Sequence, residues 1–270
     1  MENMAGPLKN TLMEALKASG DLLLEYFDIP LDSNRKESQS SVVTVADLES
    51  ETKIIQVIEH KFPSHNIISE ECGFCDRRSE YTWIIDPLDG TSNFVSGIPW
   101  FGVLIALFRD NTPIMGGAYL PVQKTLYFAE KGQGAYRNGK LLPPVCSREI
   151  TDSLIAFCVD YTDEKALLER EIEMYKYIIG NARNIRATNS LLDFIYTAES
   201  RFGAVVNFNT KVWDISALAL IISETGGFMQ NMNGTDIQFS IGQELVDKNF
   251  AVIAGCRQIV TKLQNAIPFL

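Results

Sequence analysis

The chain has 270 residues, enough for one large domain or two small ones, and folding at that size buries roughly three quarters of the unfolded surface. Apolar residues make up 46% and charged residues 21%, which excludes a disordered or low-complexity chain. The 24 basic against 34 acidic residues leave a net charge of −10, which repels polyanions and argues against a nucleic-acid or anionic-membrane surface; a phosphate bound here needs a local positive source, a metal ion or a helix N-terminus.

In chain order, Leu8, Leu12, Ala15, Leu16, Leu22, Leu23, Tyr26 and Phe27 recur at helical spacing and predict an amphipathic helix ending near Pro30. The polar stretch 32–41 follows. Residues 42–62 then read as a short strand running into a second helix, with Thr44 and Asp47 at capping-box spacing. Strand-like runs come next at NIIS, YTWIID, FGVLIALF, PIMGGAYL and TLYFAE, with turns at RDNT, PVQK and Asn138-Gly139. This half, residues 1–145, reads as a largely antiparallel sheet with two helices. From 146 to 270 strands and helices alternate, as SLIAFCV, EKALLEREIEMYKYI, NIRA, SLLDFIYTAE, GAVVNF, DISALALIISE, FAVIAG and CRQIVTKLQNAI, the pattern of a layered α/β half. No linker separates the halves, so they are expected to pack together around a cleft.

Two histidines, His60 and His65, in a polar stretch leave little material for a histidine base or a zinc site. The five cysteines are scattered and odd in number, which suits reduced thiols; Cys72 and Cys75 form a lone C-x-x-C that reads as two free thiols on a loop. With no long apolar run and no basic, apolar leader, a cytoplasmic protein is expected.

The segment 83–94, WIIDPLDGTSNF, carries the most chemistry. An apolar strand is expected to stop at Pro87 between two carboxylates, Asp86 and Asp89, that can face one point. Gly90 permits a tight turn, leaving the N–H groups of Gly90, Thr91 and Ser92 at the start of the next element, where an anion fits. Acids beside an anion cradle call for a divalent ion between them. Alone, Asp-Pro-Leu-Asp-Gly-Thr leaves open a plain strand end followed by a routine Asp-Gly turn. Two further acidic ends, Glu70-Glu71 after NIIS and Asp214 opening a helix, tip the balance towards a site.

These segments together resemble the inositol monophosphatase family of metal-dependent sugar and nucleotide phosphatases: Val43-Thr44 to Asp47, Ser69-Glu70-Glu71, Asp86 to Phe94, and Trp213-Asp214-Ile215-Ser216-Ala217 leading to Glu224-Thr225-Gly226-Gly227, in family order. The resemblance implies a layered αβαβα sandwich of mixed α+β and α/β character, a homodimer, and magnesium-dependent, lithium-sensitive hydrolysis of a small phosphomonoester, inositol-1-phosphate first among candidates. It implies one Mg²⁺ on Glu70, Asp86 and the Leu88 carbonyl, a second on Asp86, Asp89 and Asp214, and a third ion facing Glu70. Thr91 and Asp47 would orient the attacking water, and the backbone at Gly90, Thr91 and Ser92 would receive the phosphate. Substrate contacts would come from Asp89, Asp214, Asn189, Ser190 and Asn207.

Each nominated residue also has a plain structural alternative. Asp47 suits the capping-box acid of a helix, Thr91 an ordinary first-turn residue and Asp214 a helix-start acid near the dipole. Glu224 with Gly226-Gly227 reads as a helix end and turn, and Trp100, Phe157 and Trp213 as core. The chain departs from the family pattern on the substrate side, where Thr188-Asn189-Ser190 replaces a Gly-Ser/Thr-Ala type sequence and Asn207 replaces a glutamate. The alternatives are a 3′(2′),5′-bisphosphate nucleotidase, for which Arg183 and Arg186 are the nearby basic pair, and a non-catalytic regulatory protein on the same fold. Ligand completeness argues against the latter, since Glu70, Asp86, Asp89, Asp214, Thr91 and Asp47 are all present.

Overall fold

The computed structural model describes residues 5–29, 33–35 and 42–266. Pro30 and most of the polar stretch 32–41 lie outside the described residues. In chain order the elements are α1 (Ala5–Tyr26), β1 (Ser33–Arg35), β2 (Val42–Thr44), α2 (Val45–Lys61), β3 (Asn66–Ser69), β4 (Gly73–Cys75), β5 (Tyr81–Asp89), α3 (Thr91–Val95), β6 (Gly102–Arg109), β7 (Thr112–Leu120), β8 (Thr125–Glu130), β9 (Gly134–Arg137) and β10 (Lys140–Leu141). Then follow β11 (Leu154–Cys158), α4 (Lys165–Asn181), β12 (Asn184–Arg186), α5 (Leu191–Ala198), β13 (Ala204–Thr210), α6 (Val212–Glu224), β14 (Phe228–Asn231), α7 (Gln243–Asp247), β15 (Phe250–Gly255) and α8 (Arg257–Ala266).

An eight-stranded sheet runs β10-β9-β8-β7-β6-β5-β3-β4, and a five-stranded sheet runs β12-β11-β13-β15-β14. Strand alternation assigns each face of both sheets to a helical layer. On β5 and β6, Trp83, Ile85, Val103, Ile105 and Leu107 face α1 and α2, where Leu12, Leu16, Leu23, Ile54 and Ile58 complete one core. Their neighbours Ile84, Leu104, Ala106 and Phe108 face the opposite way, into a middle layer built from α5 and α6 that also receives Val205, Val252 and Ala254 of the smaller sheet. Val206, Ile253 and Phe157 close a third core against α4 and α8. The order helix, sheet, helix, sheet, helix is the five-layered αβαβα sandwich.

Both faces of β6 are covered, and for that reason an antiparallel strand reads as the unbroken apolar run GVLIALF rather than as an alternating one. Gly116 and Gly117 on β7 serve the two layers in turn. A Cβ on Gly116 would sit 2.8 Å from the Ala217 carbonyl oxygen of α6, and one on Gly117 about as close to Leu12 and Leu16 of α1. Bare backbone at these points is what lets a helix lie directly on each face. Asn138 and Gly139 both have positive φ, as the two-residue turn joining β9 and β10 requires.

Three details differ from the sequence reading. Pro87 does not end β5; the strand runs on to Asp89 through a register shift between Asp86 and Asp89, an irregularity that leaves proline's missing N–H without a ladder partner to fail. Trp100 is 42% exposed rather than core, whereas Phe157 and Trp213 are buried. The short elements β4, β14 and α7 are too brief to show periodicity in the sequence.

Candidate active site

Two pairs of parallel strands aim their carboxyl ends at one cleft, the position at which open sheets with helices on both faces bind ligands. In the larger sheet β3 runs parallel to β5 with Ser69 beside Ile85, so that Glu70 and Asp86 leave adjacent strands side by side. In the smaller sheet β11 runs parallel to β13, with Cys158 beside Asn207. The cleft, of about 160 Å³, is lined by Glu70, Asp86, Leu88, Asp89, Gly90 and Thr91 from the first group, and by Asn189, Ser190, Asn207 and Asp214 from the second. Residues nominated from segments more than a hundred positions apart therefore share one cavity. Ser92 and Asp47 do not line it: Ser92 is exposed on α3, and Asp47, 1% exposed, stands behind Thr91.

Three of the acids are each held by a backbone N–H group. Asp86, buried at the end of β5, accepts from the Leu88 N–H at 3.1 Å, a bond that fixes its carboxylate within the Pro87 irregularity. Asp89 reaches across the cleft and accepts from the Leu191 N–H at 2.5 Å, capping α5 from the other sheet's side. Asp214 accepts from the Lys211 N–H at 2.7 Å at the head of α6. Gly90 adopts φ 87°, and a Cβ there would lie 2.6 Å from the Trp100 carbonyl oxygen, so this turn admits glycine alone.

Thr44 and Asp47 form the expected capping box of α2. Asp47 Oδ2 accepts from the Thr44 N–H at 2.8 Å and from its hydroxyl at 2.6 Å, which leaves Oδ1 to accept from the Thr91 hydroxyl at 3.0 Å. The capping role and the contact to Thr91 use different oxygens of one carboxylate. The Leu88 carbonyl lies 2.9 Å from the same hydroxyl; with one proton for two acceptors, the Thr91 oxygen keeps lone pairs for a further donor.

Several supports carried no sequence signal. Glu51, buried on α2, accepts through Oε1 from the Glu71 and Cys72 N–H groups at 3.0 and 3.1 Å and from the Ser69 hydroxyl, pinning the turn that presents Glu70. Ser50 donates to the Pro87 carbonyl at 2.6 Å. Asp193, fully buried, accepts from the N–H groups of Thr188 and Asn189 and shapes the turn before α5. Cys158, Asp160, Phe194, Asn209 and Thr210 also line the cleft. Asp160 follows the end of β11 as Glu70 follows β3, so the strand-end reasoning could have found it.

Electrostatics show what the cavity lacks. Burial, then the charges of Glu70, Asp89 and Asp214, push Asp86 well above the usual carboxylate range. Burial likewise raises Asp89 to about 7, against the Leu191 hydrogen bond that lowers it. Asp214 is raised by burial and next by the Asp89 charge. Among the described residues no lysine, arginine or histidine lines the cleft. Among the described residues no group of three or more His, Cys, Asp or Glu stands close enough to hold a metal ion as it is, and carboxylates that repel one another need a cation between them to draw together. The residues nominated as ligands offer hard oxygen alone, four carboxylates and a carbonyl, and no cation among the described residues lining the cleft offsets them; that chemistry fits magnesium better than a softer ion.

Other nominated features have structural roles. His65 accepts from Trp83 Nε1 at 3.0 Å and stacks between Phe62 and Tyr81. Glu224 ends α6 and caps the N–H groups of Gly132 and Gly134. Cys72 and Cys75 are exposed free thiols. Arg183 and Arg186 are exposed beside and on β12, away from the cleft lining. No helix among the described residues is long and apolar enough to cross a membrane.

The model of the inositol monophosphatase family matches residues 5–265. The chain belongs to this family. The Nus factor SuhB of Haemophilus influenzae is 31% identical over 265 residues, covering 97% of this chain and 96% of that protein. The fructose-1,6-bisphosphatase/inositol-1-monophosphatase of Aquifex aeolicus is 33% identical over 235 residues, covering 84% and 86%. Among solved structures, the extragenic suppressor protein SuhB of Bartonella henselae superposes with a TM-score of 0.86 at 27% identity, covering 96% of this chain and 98% of that one. The family's fold is thus present over nearly the whole chain.

Proposed function

We propose that this protein is a Mg²⁺-dependent phosphomonoesterase that hydrolyses the monophosphate of a small polyol or sugar, with inositol-1-phosphate the leading substrate. The observation that carries the reading is the meeting of Glu70, Asp86, Leu88, Asp89, Thr91 and Asp214 in one cleft, which no cationic side chain among the described residues lines. Glu70, Asp86 and the Leu88 carbonyl would hold one ion, Asp86, Asp89 and Asp214 would hold a second, and Glu70 would face a third. Bound magnesium supplies charge neutralisation for the phosphoryl group and lowers the pKa of water, the two demands of phosphoryl transfer.

The chain's own groups do the positioning. A water that donates to the Thr91 hydroxyl finds its proton path continued to Asp47 Oδ1, because that hydroxyl already donates inward. Asp47, raised by burial and lowered by its bonds to Thr44 and Thr91, is suited to take part of that proton's charge. The N–H groups of Gly90, Thr91 and Ser92 receive the phosphate, with Asp89, Asp214, Asn189, Ser190 and Asn207 around the alcohol. In the same proposal residues 1–145 and 146–270 are two halves meeting at this cleft, and the protein works as a cytoplasmic homodimer.

A second reading is favoured by the relative's name, Nus factor SuhB: a regulatory protein in which the acids are structural. The test is phosphate release from inositol, sugar and adenosine phosphates with Mg²⁺, with chelator, and with Mg²⁺ plus Li⁺. Metal-dependent, lithium-sensitive turnover is expected; folded protein that releases phosphate from none of them favours the regulatory reading.

A further inference from the structure

We propose that Asp160 is a specificity-determining residue that restricts this site to substrates with a single phosphate: its carboxylate accepts from hydroxyls on the alcohol portion and repels a second anion. The inference rests on the phosphomonoesterase reading above and concerns which esters that site admits.

The argument starts from what the substrate-side wall has left to offer. Asn189 spends its side chain on the end of β11, its Nδ2 donating to the Val159 carbonyl at 2.5 Å and its Oδ1 accepting from the Val159 N–H at 3.2 Å. The Ser190 hydroxyl is shared between Thr188 Oγ1 at 2.9 Å and the Leu192 N–H at 3.4 Å. Asn207 Oδ1 accepts from the Asn209 N–H at 3.0 Å. Asp160, in contrast, has one long contact among the described residues, 3.5 Å from Asn189 Nδ2 to its Oδ1. It lines the cleft, and it is not among the carboxylates assigned to cations, so its acceptor capacity faces substrate.

Among the described residues no cation pairs with its charge. Glu171, 4% exposed on α4, carries a buried Oε2 without a hydrogen-bond partner and is raised to about 7, first by burial and then by the Asp160 charge. A second carboxyl group therefore stands near Asp160 where a cation would be needed to offset it. Arg186, a member of the basic pair that a bisphosphate site would call on, turns back to its own neighbour, the Ile185 carbonyl. An ester of a neutral polyol meets this wall with hydroxyl donors. A second phosphate meets an acid and, among the described residues lining the cleft, finds no counter-charge; such like-charge contacts are an effective means of rejection.

Inositol 1-phosphate and inositol 1,4-bisphosphate share one fixed ring, differ only in the second phosphate and form the test pair, with fructose 1-phosphate as reference, all with Mg²⁺ and the full chain. The wild type is expected to favour the monophosphate in kcat/KM by about a hundredfold, and Asp160→Asn to narrow that ratio by about tenfold, chiefly through a lower KM for the bisphosphate. Asp160→Ser, which removes the charge in a smaller side chain, should narrow it similarly, and circular dichroism and Tm confirm that both variants are folded. An unchanged ratio in both folded variants, or a wild type that turns over the bisphosphate as readily as the monophosphate, overturns the role of Asp160 alone. Absence of Mg²⁺-dependent release from all three esters overturns the phosphomonoesterase reading and this inference with it.

Discussion

The two walls of the cleft are built in different ways. On the wall of the larger sheet, Glu70, Asp86 and Asp89 come from adjacent parallel strands, and burial first, then neighbouring carboxylate charges, push Asp86 and Asp89 upward in pKa. On the wall of the smaller sheet the polar groups are mostly amides and hydroxyls already bonded to backbone, with Asp160 as the acid held most loosely. A wall that stores repulsion is suited to gather cations. A wall whose neutral groups are already paired leaves the choice between alcohols to its shape and to the acid held most loosely. Asp214 crosses this division, since α6 brings an acid from the second half to the cation side.

Removal of that crossing acid gives the largest expected effect. Asp214→Asn should keep the fold and lower kcat by about a hundredfold or more, the scale of losing one electrostatic contact to a developing charge. Full activity in this variant would confine the cation site to the larger sheet. Next comes Glu51→Gln, which touches no substrate but weakens the clamp on the Glu70 turn. Loss of its charge-assisted bonds should weaken Mg²⁺ binding by about tenfold, read by titration of metal against intrinsic fluorescence, with KM for substrate at saturating Mg²⁺ little changed; unaltered metal affinity would remove Glu51 from the support of the site.

The smallest effect concerns the stored repulsion itself. Asp89 stands at about 7 in the folded state and at the ordinary aspartate value of 3.8 when free. The folded state therefore binds more protons than the unfolded one between those values, and the stability this contributes is complete below about pH 4 and lost as pH rises towards 7. With chelator present, Tm should fall by a few degrees between pH 5 and 7.5 on this account, and Mg²⁺ should flatten the decline by binding the folded state. A chelated protein whose Tm is level across this range would show that the acids of the larger sheet do not strain the fold.

Much of this was legible in the sequence because it is local. The Thr44–Asp47 box needs only three-residue spacing, β6 announces its burial on both faces by an unbroken apolar run, and Asp-Pro-Leu-Asp-Gly-Thr carries two acids, a glycine with positive φ and a hydroxyl within six positions. Pro87 was misleading, since a proline that normally stops a strand is here absorbed by an irregularity within β5. Trp100 was misleading for another reason: its side chain is exposed, while its carbonyl closes over Gly90 and accepts from Asn93 Nδ2 at 3.0 Å.

By itself the sequence determined the longer helices and strands, the change of pattern near residue 145, and which acids stand at strand and helix ends, because periodicity, capping and strand-end chemistry act over a few residues. Only the tertiary structure decided that Asp89 caps α5 about a hundred residues away, that Glu51 grips the Glu70 turn from α2, and that Asn189 is consumed by Val159 and so leaves Asp160 open to the cleft. Those facts depend on which strand ends lie side by side and on which donors are left over once the backbone is satisfied. That accounting is complete only when every layer of the sandwich is in place.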